Sequence, residues 1–133
     1  MAESLGFVSG QVIQEFYFDD DVDMAVRTAI TQETGHEIVD DDYGDVVDGA
    51  LIWWRAEDAE EEDLEDVLVD AAANLDDNGG SIWVLTPKAG SDAAVDSGEV
   101  EEAARIAGLQ ATSSVRVGDN WVGMRMVSRA RMR

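Results

Sequence analysis

The chain has 133 residues, 30 acidic and 9 basic, and a formal charge of −21. That balance repels nucleic-acid phosphates and anionic headgroups, so it argues against a nucleic-acid or membrane-surface binder. The length suits one domain over 1–133 and 45% hydrophobic residues suffice for a core, while the absence of cysteine excludes disulfides, thiol nucleophiles and Cys-type zinc sites. No apolar run approaches the ~20 residues of a membrane span, and MAESLGF is acidic, unlike a signal peptide. The expectation is a soluble cytoplasmic domain.

In chain order, residues 1–10 read as a lead segment. The β-prone run GQVIQEFYF predicts a strand that stops at Asp19, Asp20 and Asp21. Those aspartates are expected to cap a helix carrying Val22, Ala25, Val26, Ala29 and Ile30 at helical spacing, with Gly35 as its C-cap. Glu37 to Val39 reads as a short strand, followed by an acidic loop. GALIWWR, residues 49–55, fits a strand buried on both faces. Acidic AEDAEEED then leads into a helix with Leu64, Val67, Leu68, Ala71, Ala72 and Leu75 on one face. DDNGG, 76–80, ends it.

SIWVLTP is a second buried strand, stopped by Pro87. A loop and a helix from Val100 to Ala107 follow. LQATSSVRV and WVGMRMV flank Gly118-Asp119-Asn120, a hairpin signal. Alternating strands and helices predict an α/β fold: a compact three-layer Rossmann-like sheet, mostly parallel, with an antiparallel C-terminal hairpin.

The charge is unevenly placed. Residues 1–77 hold 24 of the acidic side chains and only Arg27 and Arg55, whereas residues 78–133 hold 6 acidic and 7 basic. The end of the chain, 128–133, is an arginine-rich tail carrying Arg129, Arg131 and Arg133. It reads either as a frayed terminus or as a segment that docks on acid.

From Asp48 to Val127 the chain resembles the second half of a class I methyltransferase-like Rossmann fold. The resemblance lies in a buried strand, a helix, Asn78-Gly79-Gly80, SIWVLTP, a further helix and a closing hairpin. Nearly the whole chain is similar to an uncharacterised domain-of-unknown-function family of short actinobacterial and proteobacterial proteins. That similarity rests on LGFVSGQV, TPKAG, AGL and GDNWVGMRMV. It implies a reduced Rossmann-like domain and no particular activity. One departure from methyltransferases is specific. After the first strand their turn is glycine-rich, but here it reads Asp19-Asp20-Asp21-Val22-Asp23. Four carboxylates there disfavour a bound phosphate, and the missing glycines argue against S-adenosylmethionine.

Candidate chemistry is sparse. Lys88, the only lysine, follows the C-terminal end of a central strand, where open α/β sheets bind ligands. With Thr86 it offers a carboxylate or phosphate site; the plainer alternative is a loop lysine offsetting acid. Trp121 and Arg125 share a hairpin face beside Asp119 and offer a small recognition surface, or ordinary hairpin packing. Trp53 and Trp54 point to opposite sheet faces; an exposed one would be an interface patch. His36, the only histidine, has no nucleophile motif to serve. Asp19-Asp20-Asp21-Asp23 and Asp40-Asp41-Asp42-Asp45 fit no EF-hand spacing and read as solvated acid.

The leading expectation is therefore a non-catalytic interaction or regulatory module, without metal or cofactor, whose acidic surface selects a basic protein partner. A homodimer through the tryptophan strand or the arginine tail is a further expectation. The first alternative is a small-ligand-binding protein or enzyme at the C-terminal edge of the sheet, using Thr86, Lys88, Asp119, Trp121 and Arg125. A third is a DNA mimic.

Overall fold

A computed structural model describes residues 5–76 and 80–128. Its elements are β1 (Ile13–Phe16), α1 (Met24–Thr34), β2 (Gly49–Trp53), α2 (Ala56–Ala59), α3 (Leu64–Ala73), β3 (Ser81–Pro87), α4 (Ser97–Ile106), β4 (Leu109–Val117) and β5 (Trp121–Ser128). The sheet order is β1-β2-β3-β5-β4. β1, β2 and β3 pair in parallel, and β5 runs antiparallel to both β3 and β4. Four strands thus share one direction and β5 alone opposes them, as the short 118–120 connection demands.

Strand alternation sends successive side chains of β2 and β3 into two cores. Ala50, Ile52, Trp54, Ile82 and Val84 pack under α3 and α4, where Leu64, Val67, Leu68 and Ala71 form the buried stripe of α3. Leu51, Trp53, Trp83 and Leu85 pack on the other side beneath Val26 and Ile30 of α1, with Leu5 and Phe7 closing the layer. Both faces of β2 are fully covered, so neither Trp53 nor Trp54 offers a surface patch.

Several local expectations shift. β1 is shorter than the apolar run, because Tyr17 adopts φ 63 and turns the chain out of the sheet. Asp23, rather than Asp19 to Asp21, caps α1, its Oδ1 accepting from the Ala25 and Val26 amides at 2.9 and 3.4 Å. Gly35 closes that helix as expected. The predicted strand at 37–39 shrinks to a single parallel bridge, Val39 to Gln14. The acidic run after β2 first forms the one-turn α2, and α4 begins three residues earlier than its apolar spacing suggests. The core of the 76–80 turn and the tail arginines Arg129, Arg131 and Arg133 lie outside the described residues.

The Val39 bridge matters for topology. Val39 donates to Ile13 O and its carbonyl accepts from the Glu15 amide, on the edge of β1 away from β2. The chain therefore leaves β1 through α1 toward one side of the sheet. It leaves β2 through α3, on the opposite face, toward the other side. Divergent crossovers of this kind open a crevice at the C-terminal ends of the two strands, the usual ligand position in open α/β sheets.

The candidate site at the strand ends

Arg55 fills that crevice. The residue is 3% exposed although it is charged. One guanidinium nitrogen donates to the carbonyls of Tyr17 and Trp53 at 3.0 and 3.1 Å, joining the ends of β1 and β2. Its Nε donates to Asp21 at 2.8 Å, and a second nitrogen reaches the other Asp21 oxygen. Asp58 adds a contact at 3.3 Å and also accepts from the Arg55 amide at 3.0 Å. The Trp121 ring lies 5.5 Å from the guanidinium carbon and packs edge-on against Trp53 at 4.8 Å. A buried cation is tolerated only when its donors are satisfied, and here they are. The bond from Arg55 holds the Asp21 carboxyl below its ordinary pKa, with burial opposing. Burial pulls the guanidinium down, but Asp21 and Asp58 outweigh it.

A second buried charge braces the same strands. Glu15, 7% exposed, accepts two bonds from Arg27 at 2.8 and 2.9 Å and one from Trp53 Nε1 at 2.8 Å. The hairpin is seated beside these groups. Gly118 has φ 63, and a Cβ there would come within 2.1 Å of the Asp23 carboxylate that caps α1. Gly123 leaves room on β5 where a Cβ would meet Leu85 and Val117 at 2.8 and 2.9 Å.

Two grooves flank the clamp. The first, about 370 Å³, lies beyond the end of β3 and is lined by Asp21, Pro87, Lys88, Ser91, Asp92, Ala93, Asn120 and Trp121. Its rim is fixed by backbone bonds: Lys88 N donates to Asn120 O at 2.9 Å, and Ala56 N to Ala93 O at 3.0 Å. Of the sequence candidates, Lys88 and Trp121 meet in this groove, although Trp121 is only 3% exposed. Thr86 lies one residue before the groove lining, on the sheet face turned to α4. Asp119 is exposed in the hairpin turn, next to the lining Asn120. Arg125 pairs across from Trp83, well down β5, and its guanidinium donates to Thr112 at 3.1 Å. The cation over the Trp121 ring is Arg55.

The second groove, about 450 Å³, runs between β1 and α3 and is walled by Asp41, Glu62, Asp66 and Asp70 over Phe16, Tyr17 and Val67. Its floor is held by Gln14, fully buried, which donates to the carbonyls of Asp40 and Tyr43 and accepts from Asn74. Burial, and then Glu62, Asp58, Asp41 and Asp70, push the Tyr17 phenol above its ordinary pKa. Among the described residues none of the four wall carboxylates joins an ion pair. Nearby, Asp40, Asp41 and Asp42 bring carboxylate oxygens within 4.8 Å of one another, all exposed. His36 is exposed in the turn after α1.

Sequence relatives agree with this architecture. A family described as "Protein of unknown function (DUF3052)" matches residues 2–130. The chain belongs to that family. Uncharacterised proteins of Mycobacterium tuberculosis and Mycobacterium bovis are 44% identical to it over 126 residues, covering 95% of this chain and 77% of theirs. Among solved structures, the mitomycin 7-O-methyltransferase MmcR superposes with a TM-score of 0.62 at 13% identity, over 91% of this chain. The chain spans half the length of that enzyme. The ribosomal protein L11 methylase of Lactobacillus delbrueckii gives 0.54 at 13% identity, covering 91% of this chain and 71% of that one. The magnesium protoporphyrin IX methyltransferase of Synechocystis, solved with bound SAM, gives 0.53 at 8%, covering 90% and 71%. The shared feature is the methyltransferase-like Rossmann fold.

At this crevice Tyr17 adopts φ 63 while carrying a full side chain, and the Arg55 guanidinium donates to its carbonyl at 3.0 Å. Among the described residues no helix is long and apolar enough to cross a membrane.

Proposed function

We propose that the chain is a cytoplasmic small-ligand-binding protein whose site is the groove beside Lys88, at the C-terminal edge of the sheet. The observation that carries this reading is that Lys88, which joins no ion pair among the described residues, lines a concave surface of about 370 Å³ at that edge. Of the two carboxylates that line it, Asp21 is paired with Arg55, and Asp92 joins no ion pair among the described residues. The groove therefore suits a ligand with an anionic head for Lys88 and an apolar body for Pro87, Ala93 and the edge of Trp121. Ser91 and Asn120 supply neutral hydrogen-bonding groups on the rim.

Benzoate and inorganic phosphate are suitable probes, because one has the apolar body and the other only the charge. Calorimetric titration of the full chain is expected to detect benzoate more strongly than phosphate. Lys88→Ala should weaken benzoate by at least about tenfold, the order of one lost charged hydrogen bond. Unchanged benzoate binding in Lys88→Ala refutes the site.

A second reading, a binding module for a basic protein partner, is favoured by the unpaired acid walls of the β1–α3 groove. Its mark is capture of an arginine- or lysine-rich protein that is lost at high salt and weakened by Asp66→Asn with Asp70→Asn.

A further inference from the structure

We infer that Arg55 is the resident cation of the switch-point crevice, and that it closes this methyltransferase-like fold to S-adenosylmethionine. The inference concerns the crevice between β1 and β2 and is independent of the Lys88 groove.

Three observations converge on it. The first is position. Arg55 is the second residue after β2, and its guanidinium bonds the carbonyls of Tyr17 and Trp53. Those carbonyls end the two strands whose crossovers diverge, so the cation bridges the gap in which such folds hold ligands.

The second is backbone. Tyr17 adopts φ 63, a conformation that glycine takes without penalty and that strains a tyrosine. The turn keeps a glycine-like shape while presenting a side chain. That ring is half-buried and edge-on to Trp54 at 5.4 Å, so it is packed in place rather than free to swing aside. Strain of this sort persists only when surrounding contacts hold it, and the bond from Arg55 to the Tyr17 carbonyl is such a contact.

The third is charge. One guanidinium holds two carboxylates, Asp21 and Asp58, so the cation is anchored in the crevice. A sulfonium entering there would have to displace the guanidinium or sit against it as a like charge at short range. Ejecting Arg55 instead would strip Asp21 and the Tyr17 and Trp53 carbonyls of its guanidinium bonds. Either route opposes the cofactor.

The crevice should then behave as a guanidinium-shaped recess once the side chain is cut back. Two measurements test this. In equilibrium dialysis with labelled S-adenosylmethionine, the wild-type chain is expected to show no saturable uptake at millimolar ligand. Uptake abolished by Lys88→Ala would be binding in the outer groove and would leave the crevice closed. Saturable uptake that survives Lys88→Ala overturns the inference.

In the second measurement, Arg55→Ala should lower Tm by roughly 10 °C. Methylguanidinium at millimolar concentration should restore part of that loss relative to matched sodium chloride, and should do nothing for the wild type. A folded Arg55→Ala chain that is as stable as wild type, or that methylguanidinium does not restore, contradicts the recess. Should Arg55→Ala not fold, the dialysis of the wild-type chain decides alone.

Discussion

The two grooves border the same clamp and handle charge in opposite ways. Around the Lys88 groove the buried charges have partners: Arg55 holds Asp21 and Asp58, and Glu15 on β1 holds Arg27. Along the β1–α3 groove the walls repeat one sign, with Glu62, Asp66 and Asp70 at successive i,i+4 steps and Asp41 opposite. Matched charge in a dry setting fixes geometry, whereas unmatched charge at a wet surface stores modest repulsion that salt relieves. The first region is thus the more rigid of the two, and the proposed small-ligand site rests on it. The second is an open field whose effect on stability is slight and whose effect on encounter with basic molecules is long-range.

Removing a match should produce the largest effect. Arg27→Ala leaves Glu15 buried with only the Trp53 Nε1 bond. A loss of about 3 kcal/mol in denaturant unfolding is expected. A loss under about 1 kcal/mol would mean that Glu15 rehydrates freely and that the first region is not rigid.

Next in size is the acid response of the clamp. The Asp21 pKa is lowered by Arg55, so its contribution to stability is present above its unfolded value, near 3.8, and is lost as pH falls through the lower folded value. Asp21→Asn should therefore differ from wild type by a constant amount at neutral pH, with the difference shrinking below about pH 4. Because the Asp21 side chain is 52% exposed, the plateau should stay at or below about 1 kcal/mol. A difference that grows on acidification would reverse the sign assigned to the pair.

The smallest expected effect belongs to the acid groove, and it is a gain. Asp70→Asn relieves the like-charge Asp66–Asp70 i,i+4 pair on α3, for about 0.3 kcal/mol at low salt. At high salt the gain should vanish. A variant less stable than wild type at low salt would contradict the repulsion assigned to this wall.

Much of this architecture was legible in the sequence, and the reasons are local. The runs GALIWW and SIWVLTP are apolar at every position, which only a strand covered on both faces tolerates. Leu64, Val67, Leu68 and Ala71 repeat at helical spacing, and Gly118 marks the hairpin. The vanishing strand at 37–39 was not legible. Glu37, Ile38 and Val39 have strand composition, but only Val39 reaches the edge of β1 before the acidic loop turns away. Capping by Asp23 was also hidden, since four aspartates in five positions give the same local signal.

Lys88 and Trp121 line one groove because each sits at a strand end that pairing brings together: Pro87 opposes Trp121 across β3 and β5. Arg125 was grouped with them by alternation alone, which gives the face of a strand but not the distance along it. Arg55 was missed as a site residue. Its signal was present, a lone arginine ending a wholly apolar strand in a region with one other cation. Its partners, Tyr17 and Asp21, lie more than thirty positions away and are set by topology.

One measurement reads the clamp and both grooves together: amide and indole NMR shifts of the full chain during titration with benzoate. The account predicts saturable shifts confined to the groove lining, Asp21, Lys88, Ser91, Asp92, Ala93, Asn120 and the Trp121 indole, with Tyr17 and Phe18 unmoved and the whole response lost in Lys88→Ala. Shifts centred on Tyr17 and Arg55, or a response that persists in Lys88→Ala, would contradict it.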